Sequence, residues 1–336
     1  MNHSDNPTNI IPKILCIALI IVVGLLCISS AQGSIGELLN AGGTHAAPTL
    51  PINIPTVRPT PSYTSPNGQS ASAGETPAPS PTATARPVLG QLTHNGAAEE
   101  IAHHTDSELE FIITRVTREK LVYYTVELAL TSPYQLLTAF AGNRITNRDY
   151  TSNIAQSNDA LLAINGDFCG YNSNGIIIRN GILYRDTAST RSLAVYDSSG
   201  NFSYIPEKDA DAQALIDAGV FHTFSFGPVL VENSQATSDE VIEEYFLSHR
   251  VREPRTAIGQ LGPLHYLILV VDGRQDASQG MLFSELQDTF VSYGVISAYN
   301  LDGGGSSTLY YNGEVINSPC VEGERKVSDI IFFKGA

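Results

Sequence analysis

A strand–helix–strand unit in the last third of the chain restricts its fold more than any other feature. Residues 264–271 are almost wholly apolar, as expected for a strand that is covered on both faces. The next segment ends at Gly294 and has apolar residues at helical spacing, namely Leu282, Leu286 and Phe290. Residues 295–301 then form a second strand. If the two strands share a sheet, the connecting helix requires them to run parallel.

Each of these strands ends at an acid that is followed by glycine. The first strand runs into Asp272-Gly273, and the second runs into Asp302-Gly303-Gly304-Gly305-Ser306-Ser307. Parallel strands bring both acids to the same edge of the sheet, where ligands bind in open α/β sheets. Three successive glycines suit a loop that approaches a ligand closely or presents N–H groups to an anion. The alternative for such a run is an ordinary glycine-rich hairpin loop.

A third acid has the same setting earlier in the chain. Residues 160–164 form a short buried strand that runs into Asn165-Gly166-Asp167. We therefore expect Asp167, Asp272 and Asp302 to converge on one site. Converging carboxylates can cleave a glycosidic bond or bind a divalent cation. The sequence identifies no definite cofactor, and a divalent cation is compatible with the site.

Arginine near these acids would neutralise a phosphate by bidentate pairing. Arg255 is the first candidate, and Arg191 and Arg325 are two more, although each is also consistent with a surface charge. A serine nucleophile is disfavoured, because the elbow pattern Gly-x-Ser-x-Gly is not present around Ser306.

Short β-rich runs and turn signals fill the rest of the domain. Hairpin turns are predicted at Asn180-Gly181, Asp197-Ser198-Ser199-Gly200 and Asn312-Gly313. Helices are predicted within residues 144–158 and 209–218. The predicted fold class is α/β (mixed α+β), with a twisted mixed β-sheet core, several hairpins and flanking helices.

The N-terminal region has a different character. Residues 14–28 carry no charge, and with Ile10 and Ile11 the apolar stretch approaches the roughly 20 residues that span a bilayer. We favour an uncleaved signal anchor over a signal peptide cut near Ala31, and both export the domain. Residues 33–92 are rich in Pro, Ser and Thr and cannot bury a core. The predicted organisation is a transmembrane anchor (1–32), a disordered linker (33–92) and an extracellular catalytic domain (93–336) of a single-pass membrane protein.

Net charge and cysteine usage restrict the partners and the chemistry. The formal net charge is −15, and residues 1–90 are neutral because three basic residues balance three acidic ones. All the net negative charge therefore lies on the predicted domain, which argues against a nucleic-acid partner. Cys169 and Cys320 are the two cysteines outside the apolar N-terminal segment. Outside the cell they can form a disulfide, with two unrelated thiols as the alternative.

Several motifs taken together resemble a known family, the phosphodiester glycosidase domain. They occur in the order found in that family over roughly residues 105–334, and the Asp-Gly-Gly-Gly-Ser block is quite specific to it. The motifs are Asn165-Gly166-Asp167-Phe168, Phe226-Gly227-Pro228, Arg255-Thr256-Ala257-Ile258-Gly259, Val271-Asp272-Gly273-Arg274, Asn300-Leu301-Asp302-Gly303-Gly304-Gly305-Ser306-Ser307, Asn317-Ser318-Pro319 and Glu324-Arg325-Lys326-Val327.

The resemblance implies an α/β-mixed fold and hydrolysis of a sugar-1-phosphodiester, which releases the sugar and a phosphomonoester. The implied substrate is a phosphorylated glycan or sugar-1-phosphodiester at the cell surface. The implied catalytic residues are Asp302, Asp272 and Asp167. The residues implied to bind the substrate are Asn165, Arg255, Thr256, Gly303, Gly304, Gly305, Ser306, Ser307 and Arg325.

Two other functions stay open at this point. A metal-dependent phosphodiesterase would use the three acids to hold a cation and would cut the phosphorus–oxygen bond. A non-catalytic glycan-binding module would bind the same ligand without turnover.

Overall fold

Two antiparallel β-sheets that pack face to face form the centre of the molecule. The computed structural model describes residues 86–238, 250–320 and 323–336. Its strands are β1 (Ala97–Thr105), β2 (Leu109–Arg118), β3 (Leu121–Leu130), β4 (Leu137–Phe140), β5 (Leu162–Asn165), β6 (Ile177–Arg179), β7 (Ile182–Arg185), β8 (Ser192–Tyr196), β9 (Phe202–Pro206), β10 (His222–Phe224), β11 (Val229–Glu232), β12 (Gln235–Ala236), β13 (Arg255–Gly262), β14 (His265–Val271), β15 (Ser297–Asn300), β16 (Leu309–Tyr311), β17 (Glu314–Val315) and β18 (Asp329–Phe333). Its helices are α1 (Thr151–Ser157), α2 (Ala212–Asp217) and α3 (Phe283–Ser292).

The larger sheet has eight strands in the order β1-β2-β3-β14-β13-β15-β11-β12. Strand β13 lies between β14 and β15 and is antiparallel to both. The two strands of the predicted strand–helix–strand unit therefore run parallel, as predicted, and α3 makes the crossover between them. They are not neighbours, however, and every pair of strands in the described ranges is antiparallel. The predicted mixed sheet is corrected to an antiparallel one because β13 occupies the position between the two parallel strands.

The second sheet has five strands in the order β17-β16-β5-β18-β4. A three-stranded sheet, β10-β8-β9, and the hairpin β6-β7 complete the sheet structure of the described residues. The fold is thus sheet-rich with few helices. The predicted hairpin turns at Asn180-Gly181 and Asn312-Gly313 are confirmed, and all four residues have the positive φ that a type I′ turn requires.

Packed layers follow from the alternation of side chains along the strands. Ile268 and Val270 of β14 face the core between the two sheets, where Ile164 of β5 and Ile331 of β18 meet them. The intervening Leu269 faces the outer side of the large sheet. Helix α3 covers this outer side, and α1 covers the outer side of the second sheet. Beyond His265 at its start, every residue of strand β14 is buried, and this burial on both faces accounts for its apolar sequence.

Several predictions on the ends of the chain and on its cysteines have a definite outcome. The predicted helix within residues 144–158 is confirmed as the shorter α1, whereas strands β1 and β18 were not predicted. The predicted anchor and most of the predicted linker lie outside the described residues. None of the helices within residues 86–238, 250–320 and 323–336 is long and apolar enough to cross a bilayer.

The predicted disulfide is wrong: Cys169 is a buried free thiol next to Ser328, and Cys320 is a partly exposed one next to Arg274.

Candidate active site

The candidate site lies where the chain crosses from the large sheet to the second sheet. Residues 303–308, which we call the glycine turn, connect β15 to β16. Asp302 stands at the start of this turn, and its backbone N–H donates to the carbonyl of Gly166 at 3.2 Å. Because Gly166 follows β5, this bond joins the ends of both sheets at Asp302, one of the three predicted catalytic acids.

Asn165 and Thr256 support the glycine turn from beneath. The Thr256 hydroxyl donates to Asn165 Oδ1 at 2.8 Å, and the backbone N–H of Thr308 donates to the same oxygen at 3.3 Å. Asn165 Nδ2 donates to the carbonyl of Asp302 at 2.6 Å. Both Asn165 and Thr256 are 0% exposed. Asn165 and Thr256 were predicted to bind substrate, but they lie in the buried hydrogen-bond network that holds the backbone of Asp302 in place.

Asp302, Arg325 and Ser306 form the polar cluster that reaches the surface. Arg325 Nη2 lies 2.5 Å from Asp302 Oδ2 and 2.7 Å from the Ser306 hydroxyl, and Nε donates to the same hydroxyl at 2.9 Å. The Arg325 side chain is 44% exposed and that of Asp302 is 10% exposed. Burial raises the pKa of Asp302, although Arg325 and Ser306 act in the opposite direction. The cluster therefore combines an open guanidinium with a carboxyl group that holds its proton more strongly than usual.

Other groups approach the three glycines of the turn closely. A Cβ on Gly303 would lie 2.7 Å from the carbonyl oxygen of Pro254. Gly304 has φ +62°, in the left-handed region that favours glycine. A Cβ there would lie 3.2 Å from the Arg274 guanidinium, and a Cβ on Gly305 would lie 3.2 Å from Arg325. Two arginine side chains thus pack directly against the glycine turn.

Phe168 forms an aromatic wall next to Arg325. Its ring lies 5.6 Å from the centre of the Arg325 guanidinium and stacks on Tyr171 at 4.1 Å. Phe226 meets the same ring edge-on at 6.4 Å. The backbone of Phe168 has φ +65°, which is uncommon for a residue with a side chain and occurs often at functional sites. Phe168 stood in a predicted motif but was given no role, since nothing in the sequence marks its conformation.

Asp272 lies at the same end of the large sheet as Asp302, as predicted. Its Oδ1 accepts from Asn317 Nδ2 at 2.9 Å and from the N–H of Ser318 at 3.0 Å. Asn317 Nδ2 also donates to the carbonyl of Ser307, so Asp272 is linked to the glycine turn. Burial raises the pKa of Asp272 to about 6, and the two hydrogen bonds oppose that shift. Asn317 is a residue that sequence reasoning missed as part of the site, although its motif had been noticed.

Asp167 is not brought to this open cluster. It is 0% exposed and lies 2.8 Å from Arg179 Nη2, which also lies 3.0 Å from Asp329 Oδ2. The other oxygen of Asp167 accepts from the N–H of Ser225 at 2.8 Å. Asp167 therefore belongs to a buried ion-pair network behind the site.

The same network is the group of potential metal ligands in the described part of the chain. The ligand atoms of Asp167, Cys169 and Asp329 lie within 4.8 Å of one another. Arg179 already supplies the positive charge between the two carboxylates. Burial also raises the pKa of the Cys169 thiol well above its usual range, which disfavours the thiolate that a metal requires. The donor set therefore fits an arginine better than a metal ion.

Arg255, the first candidate for the phosphate, faces the helix side of the large sheet. It stacks on Phe283 at 3.8 Å and donates to the carbonyls of Met281 and Val251 at 3.2 and 3.3 Å. Its neighbour Thr256 faces the opposite side of the same strand, because side chains alternate along β13. Burial lowers the pKa of Arg255 to about 10. Of the predicted arginines, Arg325 is the one placed against Asp302.

A comparison with protein families identifies the family to which this chain is similar. The family model for phosphodiester glycosidase matches residues 158–334, which is more than half of the chain. The chain belongs to the phosphodiester glycosidase family.

Individual relatives match this chain over only part of their own length. The SPbeta prophage-derived uncharacterized protein YomE of Bacillus subtilis (strain 168) is 30% identical over 237 residues, which are 66% of this chain and 36% of that protein. The N-acetylglucosamine-1-phosphodiester alpha-N-acetylglucosaminidase of Bos taurus is 32% identical over 105 residues, which are 30% of this chain and 20% of the enzyme. The chain thus spans little more than a third of these relatives at most.

Solved structures show the same fold. The catalytic domain of zebrafish N-acetylglucosamine-1-phosphodiester alpha-N-acetylglucosaminidase superposes with a TM-score of 0.56 at 22% identity, covering 71% of this chain and 88% of that domain. A hypothetical protein from Synechocystis superposes with a TM-score of 0.50 at 13% identity, covering 67% of this chain and 62% of the other. At these identities the likeness concerns the fold alone.

Proposed function

We propose that this protein hydrolyses the bond between a sugar and phosphate in a sugar-1-phosphodiester. The observation that carries the proposal is Arg325, a half-exposed guanidinium held 2.5 Å from the carboxylate of Asp302 at the edge of the glycine turn. A guanidinium pairs well with phosphate, and glycoside hydrolysis uses carboxyl groups. Membership of the phosphodiester glycosidase family supports the same reaction class.

The roles follow from the environment of each group. Arg325 holds an oxygen of the phosphodiester beside Asp302. Asp302 acts on the sugar side, where its carboxylate activates a water or attacks the anomeric carbon. The anomeric carbon–oxygen bond breaks, the phosphomonoester leaves with that oxygen, and an oxygen from water ends on the sugar. Phosphate is a good leaving group, so a strong general acid is not required. Asp272, with a pKa of about 6, is the second carboxyl group at this end of the sheet.

The cellular setting is also part of the proposal. The uncharged stretch at residues 14–28 and the Pro/Ser/Thr-rich residues 33–92 support a catalytic domain that is tethered to the membrane on the outer side of the cell. The substrate would then be a phosphorylated glycan at the cell surface. Cleavage of a reporter fused after residue 336 by an external protease, in intact cells, tests this topology; protection of the reporter would overturn it.

The test of the reaction is product analysis on N-acetylglucosamine-1-phosphate methyl diester, the kind of bond named for the bovine relative. We expect Asp302→Asn to lower kcat/KM by about 10² to 10⁴-fold, because removing a positioned acid–base group has effects of this size. The control is Asp217→Asn on the exposed face of α2, which we expect to keep full activity. Equal activity of Asp302→Asn and the wild type would overturn the assignment.

Isotope labelling separates the remaining functions. In water enriched in oxygen-18, a glycosidase incorporates the label into the sugar, whereas a metal-dependent phosphodiesterase incorporates it into the phosphate. A glycan-binding module shows no turnover in either product. Label in the phosphate, with loss of activity on chelation, would replace our proposal by the metal-dependent reaction.

A further inference from the structure

A cavity on the outer side of the large sheet shares none of its lining residues with the candidate active site. It encloses about 220 Å³, more than the roughly 150 Å³ of an engineered protein cavity that admits benzene. We call it the outer pocket, and it is lined by Gly90, Leu92, His94, Ala98, Glu100, Ile112, Thr114, Thr125 and Glu127. The cavity is therefore large enough for a small organic molecule.

Strands β1, β2 and β3 form one side of the outer pocket. Glu100 lies directly opposite Thr114, and Thr114 lies directly opposite Thr125, so the three side chains form a row across the sheet. Glu127 follows Thr125 by two residues and therefore lies on the same face. Two carboxylates and two hydroxyl groups thus stand side by side in this part of the sheet.

Residues 90–94, which precede β1, cover part of this row. The backbone N–H of Gly90 donates to Glu127 Oε2 at 2.8 Å. His94 Nδ1 lies 2.8 Å from the hydroxyl of Tyr293 at the end of α3. These contacts hold the segment against the sheet, so the pocket is formed before any ligand arrives. A preformed site loses less conformational entropy on binding than a flexible one.

The hydroxyl groups of Thr114 and Thr125 indicate a ligand. Thr114 is 7% exposed and Thr125 is 1% exposed, and both line the pocket. Neither hydroxyl has a hydrogen-bond partner among the described residues. A buried hydroxyl without a partner lowers stability, whereas valine has nearly the same shape and no such cost. Polar groups at positions where apolar ones would be more stable are typical of functional sites.

The charges of the outer pocket favour a cation. Its lining contains the carboxylates of Glu100 and Glu127 but no lysine or arginine. Burial lowers the pKa of His94, although Glu127 acts in the opposite direction, so this imidazole is neutral at neutral pH. Glu127 also lies 3.1 Å from His265 Nε2, whereas Glu100 has no ion-pair partner within the described residues. An anion would meet two carboxylates and is therefore disfavoured.

The kind of cation follows from the donor atoms and from the aliphatic residues beside them. Glu100, Glu127 and His94 do not form a close group that could hold a metal ion. A quaternary ammonium ion prefers the faces of Phe, Tyr or Trp, and none of these lines the pocket. A primary ammonium group has three N–H donors, which match carboxylate and hydroxyl oxygens. The side chains of Leu92 and Ile112 offer an apolar wall for its methylene groups.

We propose that the outer pocket binds a small amino alcohol in its ammonium form. The ammonium group donates to the carboxylates of Glu100 and Glu127, and the hydroxyl group pairs with the hydroxyls of Thr114 and Thr125. A phosphate ester of the same amino alcohol is excluded, because its phosphate would meet the two carboxylates. This site does not depend on the proposed hydrolase function.

Calorimetric titration of the full-length protein with ethanolamine tests the ligand class. We expect saturable binding at one site with a dissociation constant on the order of 1 mM or lower. Three comparison compounds each lack one recognised feature: ethylene glycol has no charge, choline has no N–H donor, and phosphoethanolamine carries a phosphate in place of the hydroxyl. Each should bind at least about threefold more weakly than ethanolamine. No saturable binding of ethanolamine, or a smaller difference for any of the three, overturns the proposal.

A pair of adjacent glutamates in β1 tests the location of the site. Glu100→Gln should weaken ethanolamine binding by about 3- to 10-fold, because it removes a carboxylate that contacts the ammonium group. Glu99→Gln makes the same change of charge on the opposite face of the strand and should keep the wild-type affinity. Both side chains are exposed, so neither change is expected to impair folding. Equal affinities of the two variants would mean that the ligand does not occupy this pocket.

A pair of buried threonines tests the role of the hydroxyl groups. Thr125→Val should weaken ethanolamine binding by about 3- to 10-fold while leaving the urea midpoint unchanged or raised. Thr223 is 0% exposed, and its hydroxyl donates to the carbonyl of Ile176 at 2.8 Å. Thr223→Val should therefore lower the urea midpoint and keep the wild-type affinity for ethanolamine. A lower midpoint in Thr125→Val with unchanged affinity would show that its hydroxyl serves the fold, and would overturn the proposal.

Discussion

At the scale of single residues, burial and partners give the three predicted acids three different chemistries. Asp302 lies beside an exposed arginine, Asp272 is held by two neutral donors, and Asp167 is enclosed in an ion pair. The sequence presented all three in the same way, as an acid next to glycine after a short apolar strand. The first two have environments that suit a reacting carboxyl group, and the third suits a structural charge.

Asp272 should make the stability of the protein depend on pH. Burial raises its pKa to about 6 in the folded state, above the ordinary value of 3.8. Between these values the folded state binds more protons than the unfolded state, so the free energy of unfolding falls as the pH rises through this window. The loss is on the order of 3 kcal/mol and is complete above the folded pKa.

Asp272→Asn removes this titration while keeping an oxygen that accepts from Asn317. We expect its free energy of unfolding, relative to the wild type, to rise between pH 4 and pH 7 and then to stay constant. Urea denaturation at pH 4, 5.5 and 7 measures the difference. Asp217→Asn, at an exposed carboxylate, is the control. Parallel pH profiles of Asp272→Asn and the wild type would show that Asp272 is not desolvated as described.

The predictions for Arg255 and Asp167 illustrate what a sequence cannot show about a site. Arg255 and Thr256 are adjacent in one motif, yet alternation along β13 sends them to opposite faces of the sheet. Which face receives the arginine depends on the register of β13 with β14 and β15, which are formed by other segments. The partner of Asp167 is Arg179, and the sequence of the hairpin around Arg179 does not indicate that this arginine is buried.

At the scale of elements, the glycine turn is held by close contacts and should not accept larger residues. We expect Gly303→Ala to lower the free energy of unfolding by about 1–3 kcal/mol, because its Cβ would be forced against the Pro254 carbonyl. Gly262→Ala is the matched control, since a Cβ there has nothing within 4 Å and neither glycine has a positive φ. It should change stability by no more than about 0.5 kcal/mol.

Chemical denaturation of the two variants provides the comparison, and activity on the methyl diester provides a second one. Gly303→Ala displaces the turn that carries Asp302, so its activity should fall together with its stability. Gly262→Ala should retain both. Equal stabilities for the two variants would mean that the turn adapts to a side chain, and the close approach would then not explain its glycines.

The elements themselves were predictable where local signals decide them. The hairpins with Asn-Gly turns and the parallel direction of β14 and β15 could be predicted, because each depends on residues that are close together in the sequence. The position of β13 between these two strands could not be predicted, because the order of strands in a sheet depends on pairing between segments that are distant in the sequence. Strand β1 was missed because its sequence, AAEEIAHHT, is polar and mostly exposed at the edge of the sheet.

At the scale of the whole molecule, one buried arginine ties together three sheets. Arg179 belongs to the β6–β7 hairpin, and its guanidinium bonds to Asp167 after β5, to Asp329 at the start of β18 and to the carbonyl of Thr223 in β10. The carboxylates raise the pKa of Arg179, so it stays charged despite its burial. The second sheet, the hairpin and the three-stranded sheet therefore share one cation.

Removing this cation should destabilise the whole fold. Arg179→Gln leaves two buried carboxylates without their partner, and breaking a buried ion pair in this way costs about 3–5 kcal/mol. The exposed pair of Arg115 and Glu99 provides the control, since Arg115→Gln should cost no more than about 1 kcal/mol. Urea denaturation at pH 7 measures both variants.

A second substitution distinguishes loss of the charge balance from loss of packing. In the Arg179→Gln background, Asp167→Asn removes one of the two uncompensated charges while keeping a side-chain oxygen that can accept the N–H of Ser225. If electrostatics causes the loss, the double variant must be more stable than Arg179→Gln alone, so the two changes must be strongly non-additive. If the two losses of unfolding free energy are additive, the loss in Arg179→Gln comes from the cavity and from the missing hydrogen bond to Thr223. The buried arginine would then stabilise the contact between the sheets through packing and hydrogen bonding, and not through its charge.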